Sequence, residues 1–285
     1  MINLIQKTKK DIQDLEKVQG ATNVALVIIS TLKKYSKEVN NDKKKMKKAA
    51  DILLSARPTE PLAQNLVKYV LKNNDFDGAK DLIENTREEA AEHAAKLIKK
   101  NENVMTHCHS STVIKALGKA KDKKIKVFHT EARPLFQGRR TAKDLIKLGI
   151  PATMVVDSSN GFLISKYSGE NLMMDRVVLG CDAILEDGSI INKIGSYEMA
   201  ATAYLEKVPV YIITPLLKYH AKDWIKIERR PAKEVWKQAP KELKIINFAF
   251  DKVPAKYITG IICEFGVIKP KDIKKTIKKH YPWLS

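Results

Sequence analysis

The chain has 285 residues, 44% of them apolar and 30% charged, with a formal net charge of +19. That length buries a substantial core, as one large domain or two smaller ones, and the composition excludes a disordered or collagen-like chain. The positive excess is lysine, 44 Lys against 8 Arg, and aromatics make up only 7%. Nucleic-acid readers place arginine at base edges and interleave stacking rings, so a solvated lysine surface that favours anionic ligands is expected, and a nucleic-acid partner is not. No apolar run approaches the ~20 residues of a membrane span. The start, MINLIQKTKKDIQDLEK, is charged and helical rather than signal-like, so a cytoplasmic location with no membrane partner is expected. The cysteines Cys108, Cys181 and Cys263 then read as free thiols.

Residues 3–100 read as helix. Ile5, Ile12 and Leu15 recur at helical spacing, and VALVIISTLKKY resumes the pattern after a break at Gly20. NNDKKKMKKAADIL (40–53) looks like the solvated start of a helix, and Pro58 and Pro61 interrupt before the stripe of Leu66, Tyr69 and Val70. DLIENTREEAAEHAAKLIKK (81–100) closes the first half.

From residue 103 short apolar or β-branched runs recur: 103–107, 125–130, 152–157, 176–180, 208–214 and 260–266. Helical stretches separate several of them, with Gly149 as a helix C-cap. Alternation of this kind predicts an α/β fold: an N-terminal helical domain (1–100), then a Rossmann-like domain (101–285) with a mainly parallel sheet covered on both faces. Ligands of such sheets sit beyond the strands' carboxyl ends, where Cys108, Glu131, Asp157, Asp182 and Thr214 come after successive runs. Asp187-Gly188 between apolar runs predicts a two-residue hairpin that returns Asn192 and Lys193 toward Asp182. There is no Walker loop, GxGxxG or CxxC motif. In VMTHCHSST (104–112) strand alternation would set His107 and His109 opposite Cys108, and no second Cys/His pair at zinc spacing occurs, so neither metal nor cofactor is implied.

HTEARPLFQGRRTAKDL (129–145) and GCDAILEDGSIINKIGSYEMAATA (180–203) resemble the signature stretches of one family. That family holds the regulatory alpha, beta and delta subunits of eukaryotic initiation factor 2B, methylthioribose-1-phosphate isomerase and archaeal ribose-1,5-bisphosphate isomerase. QGATNVA (19–25), SARPTEPLAQN (55–65) and INFAFDKVPAKYITGIICEFGVIKP (246–270) extend the resemblance over nearly the whole chain. It implies a homodimer, or a homohexamer built from dimers. The isomerases use a cysteine after the first strand and an aspartate in a Gly-Ala-Asp run, matched here by Cys108 and by Asp182 in GCD. The resemblance therefore implies an aldose–ketose isomerase making ribulose 1,5-bisphosphate in nucleotide salvage. A non-catalytic regulatory subunit and a methylthioribose-1-phosphate isomerase are the alternatives. Two departures stand out: Gln19 replaces the isomerases' loop arginine, and TPLLKYH (214–220) replaces a run resembling ETYKFHP.

In this frame Cys108 and Asp182 are the catalytic candidates. The thiol is expected to be tuned downward by the helix start that Ser110, Ser111 or Thr112 would cap. Asp182, among Val178, Leu179 and Ile184, is expected to stay partly protonated and donate to the sugar's ring oxygen. Substrate-binding candidates are Gln19, the Gly20 and Ala21 amides, Arg57, Ser110, Ser111, Gln137, Asn192, Lys193 and Lys218, with Arg57 and the helix-start amides taking phosphate. Glu131 and Arg133 read as a structural ion pair or interface element.

Overall fold

The computed structural model describes residues 2–14, 17–169 and 172–284; Leu15 lies outside them. Five helices come first: α1 (Ile2–Gln13), α2 (Ala21–Glu38), α3 (Lys43–Leu54), α4 (Pro61–Asn73) and α5 (Phe76–Leu97). Their starts reflect the local chemistry. Asp42 accepts from the Lys44 and Lys45 amides, Asp75 accepts from Gly78, and Pro61 occupies the first turn of α4. Lys43–Lys45 are exposed while Met46, Ala49, Ala50 and Leu53 face inward, so the lysine cluster is a solvated helix start. The helix start expected at 40–53 follows a break at Asn40–Asn41, and Asn74 adds a further break that was not expected. Each of these asparagines takes the left-handed conformation that Asn tolerates.

A seven-stranded sheet comes next, in the order β11-β10-β7-β4-β1-β2-β3. Six strands are the expected runs: β1 (Asn103–Thr106), β2 (Lys126–Thr130), β3 (Ala152–Val155), β4 (Arg176–Leu179), β7 (Val210–Ile213) and β10 (Gly260–Cys263). They pair in parallel, and only β11 (Gly266–Ile268) is antiparallel. The chain runs outward from β1 through β2 to β3, then returns to β4 on the other side of β1. The β1–β4 boundary is therefore the topological switch point, where α/β sheets open a crevice.

Alternation along the strands divides the core. Val104, Val127, Val178 and Ile213 pack with α5, α6 (Ser111–Lys119) and α7 (Gln137–Lys147) on one face. Met105, Phe128, Val177, Leu179 and Ile212 pack on the other with α8 (Asn160–Ile164), α9 (Ser196–Leu205) and α10 (Ile273–His280), in an apolar cluster continuous with α1–α4. Helix α5, which the sequence groups with the helical half, lies against α6 and β10. Its small face of Ala90, Ala91 and Ala94 permits the close approach.

The Asp187-Gly188 hairpin forms from β5 (Ala183–Leu185) and β6 (Ile190–Lys193), and Asp182 N–H donates to Ile191 O at 2.8 Å. Its loop is longer than the two residues expected. Leu185 N–H bonds Ser189 O, and Gly188 takes φ +79°, a three-residue loop with glycine in the left-handed position. The hairpin joins β8 (Tyr219–His220) and β9 (Phe250–Val253) in a second sheet ordered β8-β5-β6-β9, which the sequence reading missed.

Glu102, just before β1, and Arg176, at the start of β4, lock the two central strands. Arg176 Nε donates to Glu102 Oε2 at 2.6 Å, Nη2 donates to Oε1, and both side chains are buried. Breaking such a pair from one side leaves an uncompensated buried charge at a cost of about 3–5 kcal/mol. Arg176→Met should therefore lower the unfolding free energy by that order in urea titrations, and adding Glu102→Gln should recover much of it. A single variant as stable as the wild type would show that the pair does not hold the strands.

Candidate active site

Strand β1 ends at Thr106, so the alternation expected to separate the histidines from the thiol stops before His107. Cys108 instead turns the chain at φ +64°, a conformation rare outside glycine and asparagine, and Thr141 Oγ1 clamps its carbonyl at 2.7 Å. Ser110 then caps α6 by accepting from Val113 N–H. A Cβ on Gly180, at the end of β4, would meet Ser110 Oγ at 2.6 Å; glycine lets the two strand ends meet.

One cavity of about 210 Å³ opens at this point. Cys108, Ser110 and Ser111 enter it from β1 and the start of α6, and Asp182 from the end of β4. Asn192 and Lys193 arrive on β6, Lys218 on the turn after β7, and Gln137 on the start of α7. Gln19, Gly20, Ala21 and Arg57 close the side formed by the first helices. The catalytic and substrate-binding candidates thus border the same space, while Glu131, Arg133, Asp157 and Thr214 do not. Gly20 takes φ +82° ahead of α2, whose first amides have no side-chain cap, and Gln137 Oε1 is buried without a partner.

Burial of the groups that line the cavity sets its electrostatics. Burial raises the Asp182 carboxyl above its ordinary range, against the pull of Lys218, Lys193 and Arg57. Burial also raises the Cys108 thiol, with Lys193 opposing. The downward tuning expected for Cys108 is therefore corrected: the desolvation penalty on a thiolate exceeds what Lys193 and the neighbouring backbone return. Lys218 Nζ donates to Cys181 O at 2.5 Å, and the turn that carries it is held by Asn65 of α4, which donates to Leu217 O and Tyr219 O at 2.8 Å each. Lys193 Nζ lies 5.4 Å from the Phe250 ring centroid.

The histidines have other partners. His107 bonds Thr130 Oγ1 at 2.5 Å and Ile194 O at 2.8 Å, and His109 bonds Asp144 Oδ2 at 2.8 Å. Burial lowers both imidazole pKa values, so they serve as neutral braces. No group of three metal-ligating side chains occurs among the described residues. Glu131 and Arg133 do not pair with each other. The Glu131 carboxylate is 3.9 Å from Arg139, and Arg133 donates to Val235 O. Asp157 accepts from the Ala132 and Arg133 amides, and Thr214 accepts from the Cys181 thiol.

Sequence reasoning missed several residues of the cavity wall. Arg87 of α5 reaches Ser111 Oγ at 2.9 Å and Glu84 at 2.7 Å. Arg230, between Glu228 and Glu234, comes from the irregular segment 221–249. Glu60, 2% exposed, pairs with Arg57, and its carboxyl is raised to about 7 by burial. The signals were present but weak: an arginine on an alanine-rich face, and a glutamate three residues after an arginine.

The chain matches the Initiation factor 2 subunit family over residues 17–270. A ribose 1,5-bisphosphate isomerase of Methanocaldococcus jannaschii is 36% identical, with 100% of this chain and 97% of that protein covered. A putative methylthioribose-1-phosphate isomerase of the same organism is 34% identical over 82% of this chain and 77% of that protein. The crystal structure of a Pyrococcus horikoshii translation initiation factor eIF-2B has a similar fold, with a TM-score of 0.82 and 24% identity over 94% of this chain and 98% of that one. No helix among the described residues is long and apolar enough to cross a membrane. On a match that spans most of its length, the chain belongs to the initiation factor 2 subunit family.

Proposed function

We propose that the cavity is the active site of an aldose–ketose isomerase that converts ribose 1,5-bisphosphate to ribulose 1,5-bisphosphate. The observation that carries this reading is the meeting of Cys108 and Asp182 at the ends of β1 and β4, on either side of the switch point, in one cavity with cations on its wall. Similarity to ribose 1,5-bisphosphate isomerases over the whole chain supports the substrate.

The chemistry needs two proton carriers. A phosphate on C1 blocks spontaneous ring opening, so a proton must reach the ring oxygen as its bond to C1 breaks. A hydrogen then moves from C2 to C1, and a proton leaves the C2 hydroxyl as the carbonyl forms. Aldose and ketose are isomers, so the protein donates one proton and takes one back. Burial raises both the Asp182 carboxyl and the Cys108 thiol, which favours the protonated form of each and suits them to proton transfer. Asn192 and Lys193 hold the sugar hydroxyls, and Lys218 stabilises the charge that develops on Asp182. Arg57 and the α2 start at Gly20 and Ala21, with the Gln19 side chain beside them, take one phosphate. Ser110 and Ser111 at the α6 start, with Gln137, take the other end of the substrate. The helical domain (1–100) forms one wall, and residues 101–285 supply the reacting groups.

One observation favours a second reading. Gln19 brings no charge to a position where the family's isomerases carry arginine, a change that a ligand-binding regulatory subunit without turnover would tolerate.

Exposed Phe162, Tyr167, Tyr204 and Leu205 on α8, α9 and their flanks, with Met154 on the edge strand β3 and Val156 just after it, support a homodimer through this face.

Purified protein should convert ribose 1,5-bisphosphate to the ketose, monitored by phosphorus NMR. Cys108→Ser and Asp182→Asn should each reduce kcat by about 10²-fold or more while circular dichroism stays unchanged. Full activity in either variant removes that residue from the mechanism. Turnover of methylthioribose 1-phosphate alone would move the substrate. No turnover of either sugar, together with co-purification with initiation factor 2, would favour the regulatory reading. Light scattering should give about twice the 32.2 kDa chain mass, and Phe162→Asp with Leu205→Glu should return the monomer; a wild-type monomer rules out the dimer.

A further inference from the structure

A glutamate is an unexpected neighbour for an arginine that receives a phosphate. Glu60 lies three residues after Arg57, and its Oε1 accepts from Arg57 Nη1 at 3.1 Å, with both side chains more than nine-tenths buried. The second atom of each group is open: Glu60 Oε2 and Arg57 Nη2 are buried and have no hydrogen-bond partner. Both residues line the cavity. An acceptor and a donor left unpaired on one buried ion pair call for a partner, and a ligand in the cavity that both residues line can supply it.

Four charged groups act on Glu60: Arg57 on its own turn, Asp182 from the end of β4, Lys218 from the turn after β7, and Glu228 from the segment before β9. Lys193 reaches the same cluster through Asp182. The two cations favour the ionised carboxylate, while burial and the two acids oppose it, and the balance places its titration at about 7.

We propose that Glu60 and the ligand phosphate compete for Arg57, so that binding the anion draws one proton onto Glu60. This rests on the reading of Arg57 as a phosphate donor. Ionised, Glu60 occupies the guanidinium and repels a dianion. Protonated, it releases the guanidinium and turns its open oxygen into a hydroxyl that donates to the phosphate. The pH effect then has a definite sign. A bound dianion raises the proton affinity of Glu60 further, so affinity falls as pH rises from about 7 toward the titration of the bound form, by at most about tenfold per pH unit. Glu60 is thus a positioning residue that makes anion capture depend on pH.

The test is calorimetric titration of ribose 1,5-bisphosphate into the Cys108→Ser protein at about pH 7 and about pH 8, in two buffers of different ionisation enthalpy, which counts the protons taken up. The expected result is uptake approaching one proton at the higher pH and a loss of affinity of up to tenfold between the two. In Cys108→Ser/Glu60→Gln the affinity should be at least as high and nearly flat, without that uptake. The ligand's own phosphate ionisation is common to both proteins, so their difference isolates Glu60. Equal uptake in both proteins overturns the proposal. So does the absence of uptake in the Cys108→Ser protein, a result that does not depend on the glutamine variant folding. Inorganic phosphate serves as a second titrant. If it binds with the Glu60-dependent uptake while ribose 1,5-bisphosphate does not bind, the substrate reading fails and the competition stands.

Discussion

The cost of burying charge shapes the functional end of this molecule. Arg57, Lys193 and Lys218 sit with Glu60, Asp182 and Glu228 around one space, where each buried charge is tolerable only beside its opposite. No single element supplies the whole cluster. Arg57 and Glu60 come from the turn before α4, Asp182 and Lys193 from the two ends of one hairpin, and Lys218 from the turn after β7. The second sheet exists at this point to hold that hairpin. The Asn65 amide reaches across from α4 to fix the Lys218 turn through two backbone carbonyls. Packing and electrostatics are therefore one problem here: a shift of α4 against the sheet would move both halves of the charge cluster.

The parts of this arrangement that could be read in advance are those encoded locally. Six apolar runs became six parallel strands, the inner ones because a strand covered on both faces must be apolar throughout, and such runs stand out against a lysine-rich background; β3, at the edge, is partly exposed. Once strands alternate with helices, the residue after each run lies at the carboxyl edge, so Cys108 and Asp182 fell together without any knowledge of strand order. The unread parts are non-local. β8 has two residues, and β9, FDKV, carries two charges; both exist only because β5 and β6 offer them partners. Glu60 was invisible for a similar reason. Between Thr59 and Pro61 it reads as exposed turn, and only the closing of the first helices over the sheet edge buries it. The thiol's tuning was misjudged because a helix start is visible in sequence and desolvation is not.

Basic residues divide by type between the cavity and the surface. Of the 8 arginines in the chain, Arg57, Arg87, Arg140 and Arg230 line the cavity, while of 44 lysines only Lys193 and Lys218 do. Lysine is strongly hydrated and belongs at the surface, where it supplies the net charge and the long-range attraction for anions. Guanidinium tolerates desolvation better and presents paired donors, so it is the cation that this cavity concentrates. Gln19 has to be weighed in that setting. A neutral side chain at the start of α2 leaves only backbone amides and the helix dipole at that corner, and these are screened less by neighbouring acids than a side-chain charge would be. Anion capture then leans on the remaining guanidinium groups, and Arg57, Arg87 and Arg230 each already hold a carboxylate. At those three positions an incoming anion meets a guanidinium already paired with an acid, whereas Arg140, also on the wall, is not paired with a carboxylate among the described residues.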